Sequence, residues 1–409
     1  MKKRYNFHLN YTDLIIGFIV LLLILNSKTV YFGEINRSTC QYLLFIVSAL
    51  SVFFLKISKR QIKYSIVEII IFIVLFIFNI LLYSSTMKSN QINQVLGYIL
   101  TFICVFVLAS LIPKEHFSKW YVLLMNIMCL ISLPCVLLSN LNQNLALTFC
   151  QPGYDWQTPF GYSFFYTWGV NGVINLRNSG MFWEPGAFQG FIIIGILILL
   201  FNTHNNEIKK IKEIFIIFIV TLLTTQSSTG YFLLVLILLV FNKRVKLIFQ
   251  GLNIKRYRKI FAAVFCCIIL FLALSSGNIG KKLFSDQTGS TLIRFNDVIG
   301  GFSLILKGGL FGLGETDYRS AMRILYGVNF QDSVGLFSMA YTFGIIFSIT
   351  YIISFYRGII RFFNDNNYLE QIVLTAMFIL LHMTEGLWFL PIYLYFLFYR
   401  NNQLCLGRQ

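Results

Sequence analysis

The chain has 409 residues, 57% of them hydrophobic and only 12% charged, with a formal net charge of +17 and a mean hydropathy of +0.72. A soluble domain devotes about a quarter of its residues to charge, so the composition excludes a fold dissolved in water and points to a chain whose main solvent is lipid. The positive balance alone would fit a nucleic-acid partner, but Lys and Arg retained in cytoplasmic loops give a membrane protein the same balance, and their placement decides.

In chain order, apolar runs predict helices near residues 13–30, 41–55, 64–83, 93–112, 119–139, 187–201, 211–225, 230–249, 259–275, 335–356, 369–382 and 386–399. These make about twelve spans of the roughly 20 residues a bilayer demands. Met1–Arg4 followed by an apolar run resembles a signal peptide, but no small-residue cleavage site follows Leu25, so the run is read as a first helix that stays. With both termini cytoplasmic, 23 of the 33 basic residues fall in inside loops. The others are Lys28, Arg37, Lys88, Arg177, Lys281, Lys282, Arg294, Lys307, Arg319 and Arg323, all in outside segments. No basic residue then lies in hydrocarbon, and the bias accounts for the net charge without nucleic acid.

The expected fold is therefore an all-α polytopic bundle, one membrane domain over residues 1–409. Most loops are short, but outer segments 140–186 and 276–334 are long, are expected to carry short amphipathic helices, and are where function tends to sit. Neither a tandem repeat nor a matched pair of broken helices marks the two halves, which weighs against an inverted-repeat transporter.

The densest polar stretch runs from Asn175 to Phe188 and contains Arg177, Trp183, Glu184 and Pro185. Pro185 suits the first turn of a helix, and Glu184 before it would lie at the positive end of that helix's dipole. An interfacial Arg–Glu pair that only caps the helix explains the same residues. The Ser227–Gly230 turn follows, with nothing nearby to activate a serine nucleophile.

In the second long segment Arg294 precedes an amphipathic stretch, Asn296–Leu306, and then a glycine cluster from Lys307 to Gly314. That cluster permits a tight turn or a close backbone approach, but lacks the strand–loop–helix context of a nucleotide loop. Tyr318, Arg319, Arg323 and Asp332-Ser333 follow. Guanidinium groups at an outer boundary suit a diphosphate at headgroup level; contact with ordinary lipid phosphates is an equal reading for Arg319 and Arg323. His8, His116, His204 and His382 are scattered, so no metal site is expected. The eight cysteines read as small apolar residues. His382 and Glu385 sit in the last outer turn, where a helix-end cap explains them as well as a site does. Tyr154, Trp156, Tyr162, Trp168 and Trp183 form either sugar-stacking faces or an interfacial belt.

Four places together resemble the O-antigen polymerase (Wzy-type) and O-antigen ligase-like proteins of bacterial polysaccharide assembly. They are Arg177…Gly180…Phe182…Glu184-Pro185-Gly186, the Ser227–Gly230 turn, Arg294 with Gly309–Gly314, and Asp332-Ser333 ahead of Gly344. The resemblance spans roughly residues 170–355. It implies a bacterial cytoplasmic-membrane glycosyltransferase that moves a growing glycan from undecaprenyl diphosphate to the terminal sugar of an incoming lipid-linked repeat unit, outside the membrane and without metal or other cofactor. For that reaction the residue chemistry offers Arg177, Arg294, Arg319 and Arg323 for the diphosphate, Glu184 first and Asp332 second for the base, and Trp183, Tyr318 and His382 for glycan contacts. The partners the resemblance implies are the lipid-linked oligosaccharide, membrane lipids, a chain-length regulator and a flippase. Gln331 stands where a ligase would carry His, and Ser228 where an Arg is often found; both departures favour polymerase over ligase. A ligase-type transferase and a lipid-linked oligosaccharide flippase are the alternatives, the latter disfavoured by helix centres almost devoid of charge.

Overall fold

The structure is a computed structural model that describes residues 11–27, 29–30, 37–55, 59–85, 87–149, 151–152, 161–163, 166–170, 173–174, 176–201, 210–249, 290–315, 334–363, 367–384 and 386–400. The span expected at 259–275 and residues Tyr318, Arg319, Arg323, Asp332 and Glu385 lie outside them, as does the side chain of Arg294.

The helices are α1 (Tyr11–Leu25), α2 (Arg37–Phe54), α3 (Lys59–Tyr83), α4 (Ser89–Leu111), α5 (Lys114–Leu141), α6 (Gln143–Thr148), α7 (Pro185–Phe201), α8 (Ile211–Thr224), α9 (Ser228–Val240), α10 (Asn242–Ile248), α11 (Ser290–Gly308), α12 (Gly335–Phe363), α13 (Tyr368–Thr384) and α14 (Pro391–Phe398). Four stretches, Ile66–Tyr83, Ser89–Leu111, Lys114–Leu141 and Gly335–Phe363, are long and apolar enough to cross a membrane; α1, α7, α9, α13 and most of α2 are shorter apolar helices. Val67, Ile70, Val74 and Leu81 of α3 are exposed. A run of exposed apolar side chains along one helix has lipid as its natural neighbour.

The interior follows from sequence that is apolar on every side, the mark of a surrounded helix. Nearly all of α7 is buried, packed between α5, α8 and α9, and α14 is enclosed by α4, α12 and α1. Glycines let the helices close: a Cβ on Gly17 would stand 2.7 Å from the Trp120 ring, and one on Gly195 2.7 Å from Phe218. Between α3, α4, α12 and α14, the rings of Phe72, Phe76, Phe102, Phe347 and Phe398 meet edge to face or tilted, an arrangement favoured by the aromatic quadrupole.

Three expectations change. The first long segment carries a four-stranded antiparallel meander beside the short α6: β1 (Gln151–Pro152), β2 (Gly161–Ser163), β3 (Tyr166–Val170) and β4 (Val173–Ile174), in order β1-β2-β3-β4. Its aromatic and β-branched residues suit a pleated, half-buried surface. Tyr162 lies opposite Thr167 and Ser163 opposite Tyr166, with an irregularity at Gly161/Tyr162. The helix expected at 335–356 is broken at Gly344 (φ 92, ψ 169) and continues to Phe363. The run at 230–249 divides at Phe241 into α9 and α10.

Polar contacts at the helix ends fall into two sets. In one, Asp13 at the start of α1 takes Lys119 Nζ at 2.6 Å, His116 Nδ1 at 2.9 Å and Trp120 Nε1 at 3.1 Å from the start of α5. Arg400 after α14 pairs with Glu68 in the first half of α3. Arg244 in α10 pairs with Glu370 at the start of α13 at 2.7 Å and lies over the Phe201 ring at the end of α7. In the other set, Ser27 after α1 accepts from Ile392 N at the start of α14, Thr29 bridges to Phe182 before α7, and the ends of α3, α5 and α8 meet loops 176–182 and 309–314. A chain that alternates direction from span to span puts each set at one end of the bundle.

Candidate functional site

Two of the four places singled out in the sequence, the Arg177 stretch and the Ser227–Gly230 turn, are joined in the second set. Arg177 Nε donates to Thr225 O at 3.0 Å, at the carboxyl end of α8, where a cation is favoured by the exposed helix carbonyls. The neighbouring Asn178 is fully buried and ties three pieces together. Its N–H donates to Thr224 O at 3.0 Å; its amide nitrogen donates to Ser132 Oγ of α5 at 3.0 Å and Thr224 Oγ1 at 2.9 Å; its oxygen accepts from Gly180 N at 3.0 Å. Gly180 takes φ 53, and a Cβ there would meet the Phe188 ring at 2.9 Å, so glycine is required for the turn. Arg177 therefore projects from a turn whose other atoms are fixed.

The turn is also held from outside. Thr167 N of β3 donates to Gly180 O at 2.7 Å and Ser179 Oγ donates to Thr167 O at 3.1 Å; Val30 N donates to Met181 O at 3.0 Å. Tyr166 and Trp168 of the same strand pack on Val136 and Ala146, and burial pushes the Tyr166 phenol above its ordinary value, keeping it neutral. Trp168 is thus core, closed to a sugar ring; Tyr154 and Trp156 lie outside the described residues.

Glu184 stands where its sequence context placed it. Its carbonyl accepts from Phe188 N at 3.2 Å, the first bond of α7, with Pro185 opening the helix. Its carboxylate is therefore carried at the positive end of the α7 dipole. Both Glu184 and Trp183 are half-buried.

Of the other two places, the described parts, the glycine cluster and Gly344, also come together; Asp332-Ser333 and the Arg294 side chain lie outside the described residues. Leu313 N donates to Tyr341 O at 2.8 Å and Gly314 N to Thr342 O at 3.0 Å, while Ile345 N and Ile346 N donate to Gly309 O and Leu310 O at 3.2 and 3.3 Å. The loop thus satisfies carbonyls and N–H groups that the break in α12 releases, the condition for irregular backbone at membrane depth. Asn79 Nδ2 reaches Thr342 O at 3.1 Å and Phe311 O at 3.3 Å, and Tyr83 Oη donates to Gly312 O at 2.5 Å. Just beyond, Glu315 accepts from Gln94 Nε2 at 3.1 Å.

His382 lies in the interior, 3% exposed. Its Nδ1 is 2.7 Å from Phe378 O and its Nε2 3.1 Å from Tyr351 Oη, and it makes no contact with the Arg177 turn among the described residues. Among those residues no group of three His, Cys, Asp or Glu could hold a metal ion.

No family model, characterised protein or solved structure matches the chain.

Asn178, Ser132 and Thr224 were not singled out in the sequence, because a buried Asn in a turn announces no partner. Gln189 carried a signal: it is the lone amide in the run Gly186–Leu200, an unusual residue for a helix with no polar face.

Proposed function

We propose that the chain is a polysaccharide polymerase of the O-antigen polymerase type, built on about twelve spans with both termini cytoplasmic and the Arg177 turn on the outer side. The basic-rich helix ends and the Arg177 turn belong to opposite contact sets, which supports that sidedness through the positive-inside rule.

The observation that carries the reading is Arg177, fixed by Thr225 O and by the Asn178 turn, seven residues from a carboxylate at the start of α7. In the proposed reaction the acceptor sugar hydroxyl attacks the anomeric carbon of the donor. The new glycosidic bond forms as the anomeric C–O bond to the diphosphate breaks, the hydroxyl proton passes to Glu184, and undecaprenyl diphosphate leaves. Guanidinium from Arg177, with Arg294, Arg319 and Arg323 from the second segment, stabilises the charge that develops on the leaving group. Glu184, at the positive end of the α7 dipole, serves as general base; Asp332 is the second candidate. Trp183 and Tyr318 are the proposed sugar-contacting aromatics. His382, enclosed among Phe355, Tyr351 and Tyr393, contributes through the interior packing on which the site rests.

Reconstitution of the purified chain with one lipid-linked repeat unit as both donor and acceptor tests the reading. A ladder of chain lengths, lost in Glu184→Gln, is expected; intact repeat units with folded wild-type protein would remove it. Transfer to a different, finished acceptor without any ladder would identify a ligase instead.

A further inference from the structure

The first turn of α9 lies next to Arg177, whose Nε bonds Thr225 O just before it. Gln226 ahead of it takes φ 48, left-handed backbone that non-glycine residues rarely adopt. Ser227 is the N-cap but makes no side-chain cap bond, and the first helical bond runs from Tyr231 N to Ser227 O. The N–H groups of Ser228, Thr229 and Gly230 thus have no acceptor among the described residues, at the positive end of a 13-residue helix. Such N–H groups are a ready site for phosphate oxygens. Ser228 is exposed and Thr229 half-buried, so the turn is open on that side.

A second, independent observation comes from α7. Gln189 is 1% exposed, and its side-chain oxygen has no hydrogen-bond partner among the described residues. It is directed at the first turn of α9, so close to Gly230 that a Cβ there would collide with it. A buried amide oxygen without a donor is costly, and a donor brought by a ligand removes that cost.

The geometry points to the first turn of α9 as a phosphate subsite for a glycosyl phosphate. The backbone N–H groups of Ser228, Thr229 and Gly230 receive the phosphate oxygens and Gln189 receives a hydroxyl of the attached sugar. This rests on the polymerase reading and deepens it. The two phosphates of the lipid diphosphate divide between a guanidinium at Arg177 and a helix N-terminus at α9, and the N-terminus recognises the phosphate next to the sugar.

Ser228→Pro tests the subsite with the helix kept. Pro is tolerated at the first helical position, where it removes one N–H, and Ser227 (φ −102, ψ 122) already has the extended backbone a residue before Pro requires. The full-length chain is placed in lipid nanodiscs, and binding is measured for undecaprenyl diphosphate, a sugar-bearing undecaprenyl diphosphate and phosphatidylglycerol. S228P should weaken both diphosphate lipids about tenfold, the loss of one hydrogen bond to a charged group, with phosphatidylglycerol unchanged. Gln189→Met should weaken only the sugar-bearing lipid, by about fivefold, and it decides the matter if S228P does not fold. Undiminished binding in S228P and Q189M, with loss in Arg177→Ala, overturns the subsite and leaves the polymerase reading standing. Undiminished binding in all three overturns both. Equal weakening of phosphatidylglycerol by S228P marks an ordinary headgroup site and also overturns the proposal.

Discussion

The turn that carries Arg177 and the glycine loop that closes on Gly344 are both irregular backbone set among apolar helices, yet side chains take a larger share in holding the first. The first combines backbone bonds from Asn178, Thr167 and Val30 with side-chain bonds, in which Asn178 links the turn to Ser132 of α5 and Thr224 of α8, and the result is one cation fixed at the end of the bundle. The second is held mainly backbone to backbone, with glycines at positive φ at Gly309, Gly312, Gly314 and Gly344. Side-chain bonds can aim a functional group, whereas backbone pairing repairs a broken helix. Substitutions in the turn should therefore read out first as lost activity, and substitutions in the clasp as lost folding.

Gly344→Ala should have the largest effect. At φ 92 a Cβ is strained and would also stand 2.5 Å from Phe311 C and 2.6 Å from Gly312 N. A loss of about 3 kcal/mol or more is expected, seen as a collapse of monodisperse protein in size-exclusion chromatography. Arg177→Ala follows: about a hundredfold drop in chain elongation, the scale of losing one preorganised charge donor, with a thermal midpoint close to wild type. A comparable fall in both quantities would mean the arginine is structural and would erase the contrast between the two regions.

Asn178→Ala joins the two readouts, because it strips three side-chain bonds from a buried turn while leaving Arg177 in place. A destabilisation of about 2 kcal/mol is expected, together with an elongation defect that Asn178→Asp does not repair, since a carboxylate cannot donate to Ser132 Oγ or Thr224 Oγ1. Thermal denaturation and product-length analysis on the same preparations check it. The smallest change is Tyr83→Phe, which removes one hydrogen bond to Gly312 O and should cost about 1 kcal/mol with normal elongation per folded molecule.

Apolar periodicity made the helices legible, and the positions of most described helices follow the hydropathy runs. It could not show the break in α12, because Gly344 is one glycine among others until Gly309–Gly314 is seen closing on it. Nor did it show the meander at 151–174, whose strands of two to five residues are too short for a period-2 signal. Within the site, Glu184 was legible because Pro185 at a helix start fixes its position locally. Asn178 was not, since its partners Ser132 and Thr224 are 46 residues away on either side. His382 read as an outer-turn residue from its place near a helix end, whereas packing against Phe355 and Tyr393 draws it into the core. The aromatic-rich first loop was ambiguous for the same reason: only tertiary packing sends Trp168 inward.

The proposed reaction requires the Arg177 turn to face the leaflet in which lipid-linked repeats are exposed, away from the basic helix ends. Gln226 is exposed beside that turn, and Lys243 is exposed in α10 next to Arg244 of the opposite contact set. A membrane-impermeant thiol reagent applied to intact cells should label Gln226→Cys well above the wild-type background and Lys243→Cys only after the membrane is opened. Labelling of Lys243→Cys in intact cells, with Gln226→Cys protected, would turn the site toward the cytoplasm and contradict the account.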